Sequence, residues 1–148
     1  MKKTKSKIIL AIETSCDDTA IAIVKCNGTL KSPKFEVLEN IISSQVAIHR
    51  PFGGVVPNLA KREHLKNLPQ IFKRIMNNEL RIKSKSVIHN SKFIIPAIDL
   101  IAVTVGPGLE PALWTGINFA KDLQSSLTHA KRTQNNAEIF PRRSASSP

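Results

Sequence analysis

The sequence has few cysteines and no long apolar run. Its two cysteines, Cys16 and Cys26, are too few and too far apart for a zinc site or a redox pair, and they favour a reduced, cytoplasmic compartment. We expect Cys16 to be a small buried thiol rather than a nucleophile. No apolar stretch approaches the roughly 20 residues that cross a bilayer, so no membrane segment is predicted. The acidic residues from Glu13 onward also argue against a signal peptide.

The net charge of +11 is concentrated at the chain ends, where residues 1–7 and 125–148 together contribute a net +7. Chain ends are usually solvated, so this excess is weak evidence for nucleic-acid binding. One predicted helix also carries a row of cations. We interpret that row as a solvated face in preference to an RNA contact surface. Its members are Lys61, Arg62, Lys66, Lys73 and Arg74.

The hydrophobic pattern predicts an α/β fold. Strands are expected at 7–14, 19–26 and 35–44, with a turn at Asn27-Gly28, followed by a helix over 57–80, a strand over 98–105 and a helix over 110–123. The first helix is expected to bury Leu65, Leu68, Ile71, Phe72, Ile75 and Met76. Three antiparallel strands, a helix, a strand parallel to the first and a second helix are the beginning of a ribonuclease H-like lobe. We predict three segments: a basic extension over 1–7, a partial lobe over 8–124 and a disordered tail over 125–148.

Polar residues follow the first predicted strand and form a candidate site, which we call the first loop (residues 13–18). Its candidate nucleotide- or substrate-binding residues are Glu13, Thr14, Ser15, Asp17 and Asp18. Carboxylates at a strand end can hold Mg²⁺, and hydroxyl and N–H groups can bind phosphate. A polar turn that bonds only to itself explains the same residues about as well.

A second loop (residues 106–109, GPGL) follows the fourth predicted strand. Gly106 and Gly108 lack a Cβ, so a ligand could approach the backbone where the next helix begins. Glycine is also needed in many strand-to-helix turns for geometry alone, and we regard that reading as somewhat the stronger for this loop taken by itself.

Several motifs in a fixed order resemble the TsaD-type tRNA threonylcarbamoyladenosine transferases. This family is also known as the glycoprotease family and lies within the actin-like ATPase superfamily. The matching stretches are residues 9–20 (ILAIETSCDDTA), Ser44-Gln45 with His49, residues 53–57 (GGVVP), residues 60–64 (AKREH), and residues 98–109 (IDLIAVTVGPGL) with Ala112, Leu113, Gly116, Ala120 and Lys121.

The resemblance implies a cytoplasmic acyltransferase. It would move threonylcarbamoyl from threonylcarbamoyl-AMP to the adenosine on the 3′ side of a tRNA anticodon. An ATP-type nucleotide site and an iron or zinc ion, held by a His-x-x-x-His pair and a later Asp, are implied as well. The implied partners are tRNA, a TsaB-type paralogue and a small TsaE-type ATPase.

The sequence departs from the family pattern after Leu123. The His-x-x-x-His pair is absent and His129 has no histidine four residues on, so we predict no metal ligand and no catalytic residue in this chain. We therefore expect a truncated copy that is inactive alone. His49 and His64 match family positions outside the metal pair, and we expect His64 to lie on a helix face or to dock a loop rather than contact the substrate.

Two alternatives remain. A non-catalytic scaffold lobe like the TsaB-type paralogue would keep the fold without the metal histidines, although that paralogue usually lacks the motifs at 13–18 and 53–57. A sugar-kinase-type ATPase is disfavoured because its Asp-x-Gly-Thr/Ser phosphate loop is missing.

Overall fold

The computed structural model describes residues 6–29, 31–83 and 98–139. In chain order the strands and helices are β1 (Lys7–Glu13), β2 (Asp18–Thr29), β3 (Ser32–Ser44), α1 (Val46–His49), a 3-10 turn (Arg50–Phe52), α2 (Pro57–Lys83), β4 (Leu100–Val103) and α3 (Glu110–Ile139). The predicted α/β class is confirmed. The three predicted strands, both long helices and the fourth strand are all present, while the short helix α1 was not predicted.

The sheet has the order β3-β2-β1-β4. Strands β1, β2 and β3 form an antiparallel meander, and β4 pairs parallel to β1 with Leu10 opposite Ile101. Helix α2 makes the crossover that a parallel neighbour requires. The carboxyl ends of β1 and β4 therefore lie at the same edge of the sheet, where both candidate loops begin.

The core lies between one face of the sheet and helices α2 and α3. Alternate strand residues such as Leu10, Ile21 and Ile41 are buried there against Leu68 and Ile75 of α2. Alternation in strands and 3.6-residue periodicity in the helix account for this pattern. Leu65, expected in the core, is 56% exposed, because the buried stripe of α2 runs through positions 64, 68, 71 and 75.

Two predicted boundaries are wrong. The turn expected at Asn27-Gly28 lies further on, because β2 continues to Thr29 and Gly28 pairs with Pro33 at a φ of 92°. Glycine tolerates this left-handed backbone inside a hairpin. The final helix, expected to end near residue 123, continues to Ile139 through part of the stretch for which composition predicted disorder. Residues 1–5, 84–97 and 140–148 lie outside the described residues, and the three-segment division of the chain otherwise stays a prediction.

Candidate functional site

The two loops lie side by side at the carboxyl edge of β1 and β4. The backbone N–H of Leu109 donates to the carbonyl of Ser15 at 2.7 Å. A Cβ at Gly108 would lie 2.6 Å from that same carbonyl oxygen, so only glycine allows this approach. The fold thus brings together the two segments that the sequence placed 90 residues apart.

Glu13 joins the first loop to the end of β4. One carboxylate oxygen accepts a 2.6 Å hydrogen bond from the backbone N–H of Ser15, and the other accepts the hydroxyl of Thr104. Partial burial alone would raise the pKa of Glu13, but these hydrogen bonds outweigh it and hold the pKa below its ordinary value of 4.5. Both oxygens of this candidate site residue therefore have partners inside the protein.

Thr14 is fully buried and faces α3. Its hydroxyl donates to the carbonyl of Ala112 at 2.9 Å, and a Cβ at Gly116 would clash with the same side chain. The small residues of the α3 first turns therefore let this helix pack directly on the first loop. This packing gives Thr14 a structural contact that the sequence analysis did not anticipate.

The outer part of the first loop presents Cys16 and Asp18 to solvent, with Ser15 and Asp17 half-buried. The expectation of a buried Cys16 is wrong, because the residue lies at the tip of the turn where no element packs over it. Residual desolvation and the neighbouring Asp17 raise the pKa of the Cys16 thiol above 9.0. The thiol is thus protonated at neutral pH, which agrees with the expectation that it is not a nucleophile.

The second loop makes contacts mainly within the protein. The N–H of Leu109 bonds to Ser15, and the N–H groups of Ala112 and Leu113 bond back to the carbonyl of Leu109. Residue 111 is a proline without an N–H, and Glu110 adds a negative charge to the first turn of α3. Gly106 precedes Pro107 through a cis peptide bond. The contacts of Leu109 and the close approach of Gly108 to Ser15 favour the geometric reading of Gly108, while the role of Gly106 and Gly108 as ligand contacts stays a prediction.

A buried polar cluster lies behind the first loop, and sequence reasoning found only part of it. Its four residues are Thr19, Gln45, His49 and His64, each at most 3% exposed. His64 contacts the carbonyl of Cys16 at 3.1 Å, as the loop-docking prediction requires. Gln45 and His49 were noted only as family matches, although polar residues at i and i+4 in an otherwise apolar setting were the available signal.

Two cavities have no lining residue from the first loop, although one of them borders the second loop through Glu110 and Pro111. Each measures about 330 Å³; one is a groove between α2 and α3 beside Lys61 and Trp114, and the other lies between β4 and the later part of α3, beside Ile98 and Leu127. The five cations of α2 that form the predicted row are exposed, and Lys66 pairs with Glu63.

The residues present do not fit the metal ion that the resemblance implies. Within the described part of the chain, no three His, Cys, Asp or Glu side chains form a metal-binding group. The sequence contains four histidines, at 49, 64, 89 and 129, and no two are four residues apart. His89 and the side chain of His129 lie outside the described residues.

Among the described helices, none combines the length and apolar character required to cross a membrane.

Comparison with known proteins gives one consistent result. The family model of tRNA N6-adenosine threonylcarbamoyltransferase (TsaD) matches residues 36–130. The enzymes of that name from Thermosipho melanesiensis and Thermosipho africanus are 42% and 46% identical to the chain over 120 residues, which is 81% of this chain and 31% and 30% of theirs. The enzyme from Fervidobacterium nodosum is 45% identical over 116 residues, 78% of this chain and 28% of the relative.

The chain thus spans about a third of the length of the curated relatives that it matches. The matched region includes most of β3, all of α1, α2 and β4, and most of α3, and it contains the second loop and the buried polar cluster except Thr19. On the agreement of fold, motif order and these matches, the chain belongs to the tRNA N6-adenosine threonylcarbamoyltransferase family.

Proposed function

We propose that this chain forms part of the N-terminal lobe of a tRNA N6-adenosine threonylcarbamoyltransferase and contributes the face of that lobe nearest the nucleotide. The reaction of such an enzyme would transfer threonylcarbamoyl from threonylcarbamoyl-AMP to the adenosine 3′ of a tRNA anticodon. On this proposal the protein acts in the cytoplasm on tRNA.

One observation carries the proposal: the first and second loops meet at the carboxyl edge of two parallel strands, joined by the bond between Ser15 and Leu109. In open α/β sheets, ligands commonly bind beyond the carboxyl ends of the strands. The inward-facing groups of both loops are occupied by protein contacts. The outer groups, mainly Asp17 and Asp18, supply the chemistry available to a ligand.

Asp17 and Asp18 set limits on how a nucleotide would bind. A carboxylate accepts hydrogen bonds and repels bare phosphate, so these residues would contact the hydroxyl or amine donors of the nucleotide. The first turn of α3, with Glu110 and Pro111, is likewise a poor phosphate site. We therefore propose that this chain orients the nucleoside part of the donor, while the phosphate is bound elsewhere in a complete enzyme.

The implied iron or zinc ion has no fitting ligands among these residues, and no step of the proposal uses it. We propose that the chain alone does not catalyse the transfer, and that a TsaB-type paralogue and a TsaE-type ATPase are partners of the complete enzyme. The matched relatives are named as transferases, so the scaffold alternative has no observation in its favour.

A chimera tests the proposal. Residues 8–123 would replace the matched segment of the T. melanesiensis enzyme, and threonylcarbamoyladenosine in tRNA would be quantified by mass spectrometry after digestion to nucleosides. We expect the chimera to retain activity within about tenfold of the parent, and the isolated chain to form no product. In the chimera, Asp18→Asn should lower activity about tenfold or more, as expected for loss of a charge-assisted hydrogen bond.

The matched control is Asp122→Asn, which removes an equally exposed carboxylate on α3, far from both loops, and should leave activity unchanged. An inactive but folded chimera, or equal losses from Asp18→Asn and Asp122→Asn, would contradict a role for the first loop. Product formed by the isolated chain would contradict its predicted inactivity.

A further inference from the structure

Three of the sequence motifs that the proposed function leaves without a role lie behind the first loop. They are the Gln45 and His49 pair, residues 53–57, and His64 near the start of α2. Their polar atoms form one continuous series of hydrogen bonds from the backbone of Val56 to the backbone of Cys16. We call this series the Val56–Cys16 chain; its side chains are His49, Gln45 and His64.

The two ends of the Val56–Cys16 chain determine which group donates and which accepts in each of its hydrogen bonds. The backbone N–H of Val56 can only donate, and it donates to Nδ1 of His49 at 3.3 Å. The carbonyl of Cys16 can only accept, and it lies 3.1 Å from Nε2 of His64. A neutral imidazole has one donor and one acceptor nitrogen. Each end therefore determines the tautomer of the histidine beside it.

His49 accepts at Nδ1, so its proton is on Nε2, which donates to Oε1 of Gln45 at 3.1 Å. The amide nitrogen of Gln45 then points toward Nδ1 of His64 at 3.2 Å. His64 accepts there, and its Nε2–H donates to the Cys16 carbonyl. All donors point the same way, and every bond is satisfied only if both histidines are neutral with the proton on Nε2.

Additional contacts reinforce the chain. The hydroxyl of Thr19 lies 2.8 Å from Nδ1 of His64 and shares the single lone pair of that nitrogen with the Gln45 amide, which also lies 3.5 Å from the Thr19 oxygen. The backbone N–H of Gln45 donates to the carbonyl of Asp17 at 2.8 Å. The carbonyls of Cys16 and Asp17 are thus both held from the inner side of the first loop. The backbone that carries the carboxylates of Asp17 and Asp18 is fixed by residues that do not reach solvent.

Because the side chains of the Val56–Cys16 chain are buried, the loss of any of its hydrogen bonds is costly. His64 and Gln45 have no exposed surface, and a buried polar group that loses its partner costs far more than an exposed one. Desolvation also lowers the pKa of His64 below 6.5, which keeps the ring neutral at physiological pH. The charged and titratable groups nearest the ring are Glu13 and Asp17 of the first loop and His49 of α1.

We propose that His64, with Gln45 and His49 behind it, is a positioning residue that sets the conformation of the first loop through the Cys16 carbonyl without contacting the ligand. This inference rests on the proposed function, because it assigns the purpose of that conformation to nucleotide binding. On this proposal, the motifs at 44–49, 53–57 and 64 all serve to hold the first loop in one conformation.

The first experiment measures the histidine tautomers in the full chain by ¹⁵N–¹H correlation through the imidazole rings at pH 7.5. We expect His49 and His64 to be neutral with the proton on Nε2. A ring with its proton on Nδ1, or one that is charged at this pH, would overturn the inference. The tautomers report the donor–acceptor direction of the hydrogen bonds as well as the packing of the rings. A histidine with only a structural role would not require these tautomers.

The second experiment compares amide hydrogen exchange in His64→Leu, His64→Gln and the core control Ile75→Val. The reporters are the N–H groups of Gln45 and Leu109 at the loop and of Asp99 at the opposite end of the sheet. His64→Leu should accelerate exchange at Gln45 and Leu109 about tenfold relative to Asp99, because the Cys16 carbonyl loses its buried donor. His64→Gln retains a side-chain N–H donor and should recover most of this difference.

Ile75→Val weakens the packing of the same helix and leaves the Val56–Cys16 chain intact, so it should accelerate exchange at all three amides equally. If His64→Leu also accelerates them equally, the residue supports only global stability and the inference fails. Should His64→Leu not fold, the tautomers of the wild-type chain and the exchange of His64→Gln still decide the matter.

A third measurement separates this inference from the proposed function. ATP with Mg²⁺ is titrated into the wild-type chain while the amide resonances of residues 13–18 are followed. Shifts that weaken at least about tenfold in affinity in His64→Leu and recover in His64→Gln would support positioning for ligand binding. No shift in the wild type would count against the proposed nucleotide site, while the tautomer and exchange results would still test the Val56–Cys16 chain.

Discussion

The two ends of β1 are built in different ways although they belong to the same strand. At the carboxyl end, Glu13 and Thr14 form hydrogen bonds that reach β4 and α3, and Thr14 is fully buried. At the amino end, Lys7 pairs with Asp99 at 3.2 Å, with side chains 54% and 31% exposed. The N–H of Ile8 also donates to Asp99 at 2.8 Å.

This difference shows where the fold depends on particular residues. Hydrogen bonds in a buried setting have no water to replace a lost partner, whereas an exposed ion pair loses little when one charge is removed. Substitutions at the loop end should therefore cost much more stability than substitutions at the amino end. Three predictions test this comparison, from the largest expected effect to the smallest.

The largest effect is expected for Gly108→Val. Its Cβ would lie 2.6 Å from the Ser15 carbonyl, so the two loops would have to separate. We expect the free energy of unfolding, measured with urea, to fall by about 3 kcal/mol. Gly54→Ala is the matched control, since nothing lies within 4 Å of a Cβ there, and it should change stability by less than about 0.5 kcal/mol. Equal effects of the two substitutions would contradict the close approach of the loops.

An intermediate loss of stability is expected at acid pH, and it should come from groups at the carboxyl end of β1. The pKa values of His64 and Glu13 are both lowered in the folded protein, so the unfolded chain binds more protons. The stability from neutral His64 is complete above about pH 6.5 and is lost as the pH falls through its folded pKa. The contribution of Glu13 is complete above about pH 4.5 and is lost below it.

Urea unfolding at a series of pH values checks this order. His64→Gln should flatten the loss of stability that begins as the pH falls below about 6.5, whereas the loss that Glu13 causes below about pH 4.5 should remain. Stability that rises on acidification from pH 7 to 5 would contradict the assigned direction of the His64 pKa shift.

The smallest effect is expected for Lys7→Met at the amino end of β1. The substitution removes the exposed charge pair with Asp99 and leaves the hydrogen bond from Ile8 in place. We expect a loss of at most about 0.5 kcal/mol that disappears at high salt. The same urea measurement at low and high salt tests this, and a salt-insensitive loss above 1 kcal/mol would show that the two ends of β1 are more alike than the contacts indicate.

The sequence predicted the elements of the fold better than their ends. Alternation of apolar residues identified the strands, and the periodic apolar stripe identified α2, because each pattern follows directly from local geometry. The continuation of the last helix to Ile139 was missed because residues 125–139 have no periodic apolar stripe that would predict a helix. The hairpin turn was misplaced because Asn27-Gly28 is a common turn pair that here lies within β2.

The candidate site was predicted in part. Its loops were located correctly as segments, since each follows a buried strand. The inward contacts of Glu13 and Thr14 and the exposure of Cys16 were not predictable, because they depend on which element packs over each residue. His64 was expected either to lie on a helix face or to dock a loop, and the contact with Cys16 selects the second. Its partners Gln45 and Thr19 lie 19 and 45 residues away in sequence.

The sequence by itself determined the α/β class, the family and the two loops, because local periodicity and motif order need no information about distant contacts. Only the tertiary structure decided that Gly108 fits against Ser15, that Glu13 joins two strands, and that His64 supports Cys16 from behind. These contacts join residues 48 to 93 positions apart, so they exist only once α2 has packed behind the first loop and its crossover has placed β4 beside β1.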